Sequence, residues 1–250
     1  MNLLKIIMIK KYNISWDTPK NISYFISING KGYSRDKFKY ANFSNFVGDK
    51  YQAVHKNIEE LKKNNNINNI SFMNQTHSNK IKRIIYYKNY NNSDAIYTYK
   101  PLIACAVMTA DCIPILVTNL SGSLIGCIHV GWRGLKNNII QRFFSSIHED
   151  NYNFKVLIGP CISKRRYEVD DIVFREFSYY KKFFSINKNG KYNMDLRSIA
   201  HDILSQIGIT DVTISPICTY DDKRFYSYRR NKITGRFVSL IWFKKWLQNI

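Results

Sequence analysis

A chain of 250 residues with 45% hydrophobic content can bury a substantial core as one domain. No apolar run approaches the roughly 20 residues that cross a bilayer, and the apolar start Met1–Lys11 is broken by Lys5 and lacks a small-residue cleavage site, so neither a membrane span nor a signal peptide is expected. The net charge of +20 would suit nucleic acid, but the lysines are scattered, accompany heavy asparagine and isoleucine use, and form no zinc-finger, homeodomain or RNP signature.

Residues 22–28 read as a strand. Gly48-Asp49 precedes Ala53, Val54, Ile58 and Leu61, a helical face with Asp49 as its candidate N-cap. The Asn-rich segment 64–69 reads as a surface loop, and 70–73 and 81–86 as strands. Three apolar runs of strand length follow at 104–108, 113–117 and 124–130, the last two separated by the turn residues Asn119-Leu-Ser-Gly122. Residues 135–147 place Leu135, Ile139, Ile140, Phe143, Phe144 and Ile147 on one helical face. A strand at 154–158 ends at Gly159-Pro160. Asp195 can cap a helix running to about Ile207, stopped by Gly208, and 212–214 is a further strand. The alternation predicts a mixed α/β fold, with no repeat or linker to divide residues 1–250 into more than a single domain.

The five cysteines are odd in number and widely spaced, which suits reduced thiols in a cytoplasmic protein. Cys112 stands apart. It lies between two apolar runs, 35 residues after His77 and 17 before His129, and His129 ends a third run just before Gly131-Trp-Arg-Gly134. One thiolate and two imidazoles suit zinc, and three protein ligands leave a position open for catalysis. Such a zinc lowers the pKa of a bound water towards 7. Spacing alone leaves two other readings open: core thiols with hydrogen-bonded structural histidines, or a Cys112 nucleophile with His129 as its base. Asp111 is expected to orient a histidine through its second ring nitrogen. Gly131 and Gly134 would let backbone approach a ligand closely. Arg133, Arg229 and Arg230 are candidate oxyanion contacts or structural ion pairs. Ser227 and Tyr228 are candidate donors beside them, and Glu168 is expected to be structural. His55, His148 and His201 fall outside every motif.

Gln75-Thr-His77, Thr109-Ala-Asp-Cys-Ile-Pro114 and His129-Val-Gly-Trp-Arg-Gly134 form a diagnostic core. Around it stand Ser15–Ile22, Ala41–Ser44, Val47–Asp49 with Asn57, Ile158–Ile162 with Tyr167–Val169, Cys218-Thr219, Phe225–Arg230 and Thr234–Arg236. In these motifs and their order the chain resembles, nearly end to end, the YfiH family. That family is also called the multicopper polyphenol oxidoreductase or laccase-domain family, and the purine nucleoside phosphorylase family related to the mammalian laccase-domain protein. The resemblance implies a layered α/β/β/α fold with mixed sheets. It implies His77, Cys112 and His129 as zinc ligands, with catalysis at those residues and Asp111. It implies phosphorolysis of adenosine, inosine and methylthioadenosine, with adenosine deamination as a second activity.

Alternatives are a zinc or cysteine hydrolase editing a peptidoglycan precursor, a copper polyphenol oxidase, and a basic RNA-binding protein. Copper oxidation is disfavoured because a multicopper site needs many histidines and the chain has five. No Walker or GxGxxG loop supports a nucleotide cofactor. The expected partners are nucleosides and phosphate, with neither membrane nor specific nucleic acid, and a monomer is the favoured state. One departure stands out. Where the family carries Arg-x-Gly-Gly-x-Ser, this chain has Asn29-Gly-Lys-Gly-Tyr-Ser34, so Asn29 replaces an arginine and Lys31 a glycine. Lys31 would return the charge without a bidentate fork.

Overall fold

The structure, a computed structural model, describes residues 8–244; most of the apolar start read above lies outside them. The strands are β1 (Ile22–Ile26), β2 (Asn69–Met73), β3 (Ile81–Arg83), β4 (Tyr90–Asn91), β5 (Ala95–Thr98), β6 (Ile103–Thr109) and β7 (Ile113–Asn119). They continue with β8 (Ile125–Val130), β9 (Phe154–Ile158), β10 (Glu168–Val169), β11 (Phe184–Ile186), β12 (Tyr192–Met194), β13 (Asp211–Ile214) and β14 (Phe237–Phe243). The α-helices are α1 (Tyr51–Asn64), α2 (Trp132–Lys136), α3 (Ile139–Ser145), α4 (Asp171–Glu176) and α5 (Leu196–Gln206).

Two mixed sheets carry the fold. One has the order β1-β14-β6-β2-β4, the other β13-β9-β7-β8-β5-β3, and β10-β12-β11 form a small third sheet. Side chains alternate between the faces of a strand, and the alternation sorts the core into layers. From β6, Ile103, Cys105 and Val107 enter the space between the large sheets, where Leu116, Ile125, Cys127 and Leu157 meet them from the other side. The intervening Ala104, Ala106 and Met108 face outward onto a cluster with Leu61 of α1. Ile113, Ile115 and Val117 of β7 face the other way, against Ile139, Ile140 and Phe143 of α3 and Ile199 and Ile203 of α5. The result is the expected α/β/β/α layering. Strands buried on both faces read as continuous apolar runs, which is why β6, β7 and β8 are visible in the sequence.

Several local expectations are corrected. Asp49 does not cap α1: its carboxylate accepts from Ser34 Oγ (2.6 Å) and Asn42 Nδ2 (3.0 Å), and Lys50 holds the N-cap position without a side-chain bond. The helix expected over 135–147 is two helices, because Asn138 sits at φ 58° and a left-handed residue cannot continue the right-handed ladder. Both pieces lie on the same sheet face, so the apolar period runs through the break. The strand expected over 81–86 ends at Arg83. Central β14, the short β5 and α4 were not anticipated; brief apolar runs do not distinguish strand from helix by period. Asp195 caps α5 as expected, accepting from Ser198 N at 3.1 Å, and Gly208 follows at φ 86°.

Candidate metal centre and active site

The site lies where the chain crosses between the two large sheets. Ala110-Asp-Cys112 joins β6 of one sheet to β7 of the other, and the segment holding His77 joins β2 to β3 in the same sense. Both crossings contain a non-glycine residue at positive φ, His77 at 59° and Asp111 at 97°. Such backbone costs about 1–3 kcal/mol per residue and persists only where the surroundings enforce it. His129 comes from the end of β8. The β7–β8 register pairs Pro114 with His129, which brings Cys112 alongside the end of β8.

The donor atoms of His77, Cys112 and His129 all lie within 4.8 Å of one another, with Cys112 Sγ 3.8 Å from His77 Nε2. Donors sharing one tetrahedral zinc at usual bond lengths stand roughly 3.5 Å apart, so the set fits a single metal ion. Gly131 keeps the space clear: a Cβ there would meet Cys112 Sγ and His77 Cδ2, each at 3.1 Å. Gly134 has another use, packing against Ile139 of α3.

One residue missed in the sequence organises the set. Asp94, fully buried just before β5, accepts from His129 Nδ1 at 2.8 Å, which leaves the other ring nitrogen for the thiolate side. The same oxygen accepts from the His77 amide (3.0 Å). Its other oxygen accepts from the Thr76 amide (3.2 Å), the Ser78 amide (2.7 Å) and Ser78 Oγ (2.6 Å). A single carboxylate thus orients the His129 ring and holds His77 in its strained backbone. Burial alone would raise the Asp94 pKa; its bonds to His129 and Ser78 outweigh that and hold it well below the usual carboxylate range. The signal was available as an acidic residue entering an apolar strand, Asp94-Ala-Ile-Tyr97.

Burial likewise pushes the Cys112 thiol up, but His129 and His77 overcome it and bring the pKa down to about 6. His129 moves up for the complementary reason: the Cys112 charge and the Asp94 bond outweigh burial. The pair is therefore poised as thiolate and imidazolium until a cation replaces the proton.

A cavity of about 550 Å3 opens over this set. A family model described as multi-copper polyphenol oxidoreductase laccase matches residues 23–244. The chain belongs to this family, the YfiH family. A Haemophilus influenzae protein named purine nucleoside phosphorylase is 33% identical over 243 residues, covering 93% of this chain and 98% of that one. The Escherichia coli purine nucleoside phosphorylase YfiH is 30% identical over 234 residues, covering 91% and 96%. The crystal structure of a Neisseria meningitidis protein matches with a TM-score of 0.86 at 30% identity, over 92% of this chain and 98% of its own. Bacillus licheniformis YfiH matches at 0.83 and 25% identity, over 89% and 93%.

Within this YfiH-family cavity the expected residues part company. Arg133 and Arg229 line it. The Arg133 guanidinium stacks on Trp132, 4.4 Å from the ring centroid, and makes no hydrogen bond or ion pair among the described residues. Arg229 lies over Tyr167 at 5.1 Å and gives Nη1 to the Glu168 carbonyl (2.8 Å). Arg230 is a correction: its guanidinium donates to the carbonyls of Thr219, Tyr220 and Phe225, and it does not line the cavity. Lys232 and Arg236, neither singled out as a contact from the sequence, line it instead and rest on Tyr228, at 4.8 and 6.0 Å. Ser227 is buried and accepts from the Arg230 amide (3.2 Å), while Tyr228 stands at the rim.

Asp111 is a second correction. Its carboxylate does not orient a histidine; it accepts from Thr219 Oγ1 (2.7 Å) and the Arg229 amide (2.6 Å), tying the crossover to the segments that carry the cations. Asn29 and Lys31 lie elsewhere, in an open cleft with Lys10, Lys223 and Arg224, so the departure from the family pattern does not touch this cavity. His55, His148 and His201 are exposed. Among the described residues, His77, Cys112 and His129 are the one group of three or more potential metal ligands.

Proposed function

We propose that this chain is a purine nucleoside phosphorylase that holds one zinc ion through His77, Cys112 and His129. The observation that carries the reading is a cavity pairing that ligand set with cations no carboxylate neutralises. Asp111 is the one acidic residue lining it, and both its oxygens are taken by Thr219 and Arg229. Arg133 and Lys232 rest on aromatic faces, and Arg229 and Arg236 add bonds from Nη1 to backbone carbonyls, so no carboxylate competes with an incoming anion for these four cations. That is the requirement for binding phosphate. The relatives named purine nucleoside phosphorylase support the same reading.

Zinc is favoured over copper oxidation by the donor set: a single group with one thiolate suits one ion, not a cluster. When bound there, zinc supplies Lewis-acid polarisation of a substrate oxygen. The chain's own residues do the rest. Arg133 and Arg229 bind and orient phosphate. Trp132, Phe46 and Tyr228 offer ring faces for a purine, and Asp94 aims the His129 ring and anchors the His77 backbone. Five free cysteines support a reducing, cytoplasmic setting, and no helix among the described residues is long and apolar enough to cross a membrane.

The test is product analysis by mass spectrometry. Protein of measured metal content is incubated with adenosine, inosine or methylthioadenosine, with and without phosphate. Phosphate-dependent release of the free base and ribose 1-phosphate (or its methylthio analogue) is expected. Phosphate-independent inosine from adenosine would establish deamination. No turnover with one zinc bound per chain would overturn the phosphorylase reading.

A further inference from the structure

Phosphorolysis, the reading on which this inference rests, breaks the C1′–N9 bond and sends its electron pair onto the purine. A phosphate oxygen bonds C1′, and the proton that hydrogen phosphate gives up ends on the purine. Negative charge therefore develops on the ring before that proton arrives, and a fixed donor aimed at it would lower the barrier. Asp111 cannot serve, being an acceptor whose two oxygens are already filled. Gln75 is spent on Met108, donating Nε2 to its carbonyl (2.8 Å) and accepting its amide at Oε1 (2.9 Å). Tyr228 is 47% exposed beneath Lys232, where water competes for its hydroxyl.

Tyr167 differs from all of these. It lines the cavity, and its ring packs against the apolar cluster under α3 and α5 with the Arg229 guanidinium over its face. Its backbone is pinned on both sides, its amide donating to the Lys164 carbonyl (3.2 Å) and its carbonyl accepting from the Met194 amide (3.0 Å). The residue is partly buried, and its hydroxyl makes no hydrogen bond to another described residue, which leaves it available to a ligand in the cavity. We propose that Tyr167 is a catalytic residue: its hydroxyl donates a hydrogen bond to the leaving purine and keeps its own proton throughout. Burial holds the phenol above its usual range, so the donor stays protonated wherever the reaction runs.

The experiment compares Tyr167→Phe with the unsubstituted protein on two substrates, inosine and 7-methylinosine. The second departs as a neutral base, so no negative charge develops and no donor is required. For inosine, kcat should fall about 10²–10³-fold, the usual loss for one such donor. Zinc content and the KM for phosphate should not change, and 7-methylinosine should be consumed at nearly the original rate. The ratio between substrates is read within one sample, so it does not depend on how much of the variant folds. An equal loss on both substrates, or none on either, overturns the role of Tyr167 while leaving the phosphorylase reading intact. An unsubstituted protein that consumes neither nucleoside overturns both.

Discussion

Two cavities of the same size, each about 550 Å3, open on this molecule, and they are built differently. The first holds the histidine–cysteine–histidine set, and its polar groups are fixed from behind: Asp94 grips both histidines, and Asp111 is gripped by Thr219 and Arg229. The second is an open cleft along Lys10, Asn29, Lys31 and Lys223, where Arg224 is paired to Asp222 and the lysines stand in solvent. Equal volume and similar charge thus go with unlike chemistry. What separates them is support. In the first cavity side-chain entropy has been lost before any ligand arrives; in the second it would be lost on binding.

Removing a ligand from the first cavity should produce the largest effect. Cys112→Ala is expected to lose the metal by mass spectrometry under native conditions and to reduce turnover by roughly 10³-fold or more, several kcal/mol of barrier. Full metal content and full turnover in that variant would erase the contrast between the cavities. Next comes the support itself. Asp94→Asn keeps the shape but turns an acceptor into a donor facing amide hydrogens. Zinc affinity should fall about 10–100-fold, and urea denaturation should show a loss of about 1–3 kcal/mol from unpaired buried donors. Arg133→Gln should be milder, raising the KM for phosphate about tenfold with zinc content unchanged, as expected for one charged hydrogen bond.

The metal-free protein offers a smaller, pH-dependent effect. The Cys112 pKa is depressed to about 6, so its contribution to stability is full above the ordinary thiol value and fades as pH falls through about 6. His129 is raised, so its contribution is full below the ordinary histidine value and is lost as pH rises through about 9. These windows overlap and the two changes oppose each other, so the urea midpoint of the metal-free protein should stay nearly level from about pH 6.5 to about 9, and Cys112→Ser, which leaves His129 uncompensated, should make it fall as pH rises through that range. A variant as level as the parent chain would refute the imidazolium half of the pair. The smallest effect belongs to the second cavity: Lys31→Ala and Lys223→Ala should leave turnover unchanged and stability within about 0.5 kcal/mol. A loss of phosphate affinity in either would show that the open cleft takes part in catalysis.

Much of this was legible before the fold was known, for identifiable reasons. Strands β6 to β9 are apolar runs because both of their faces are covered, and α5 announces itself through Asp195 and Gly208. The metal-binding candidates stood out because two histidines and a cysteine sit at the ends of such runs. Other features left no periodic trace. The break at Asn138 interrupts a helix whose apolar face continues past it. The duty of Asp94 depends on a β5–β8 register, Ala95 opposite Ile128, that joins residues far apart in the chain. Arg230 and Arg229 are neighbours in sequence and look alike there, yet one guanidinium is consumed by three carbonyls and the other faces the cavity.

The sequence by itself determined the α/β character, the family and the candidate donor set, because burial periodicity and residue chemistry are local properties. Tertiary structure alone decided which carboxylate holds the histidines and which cations face the substrate space. It also turned Asp111 from a supposed partner of histidine into a brace for the crossover. The physical reason is the crossing between sheets. His77 and Cys112 lie on segments that leave one sheet for the other, and their backbone strain and hydrogen bonds exist only once both sheets are packed.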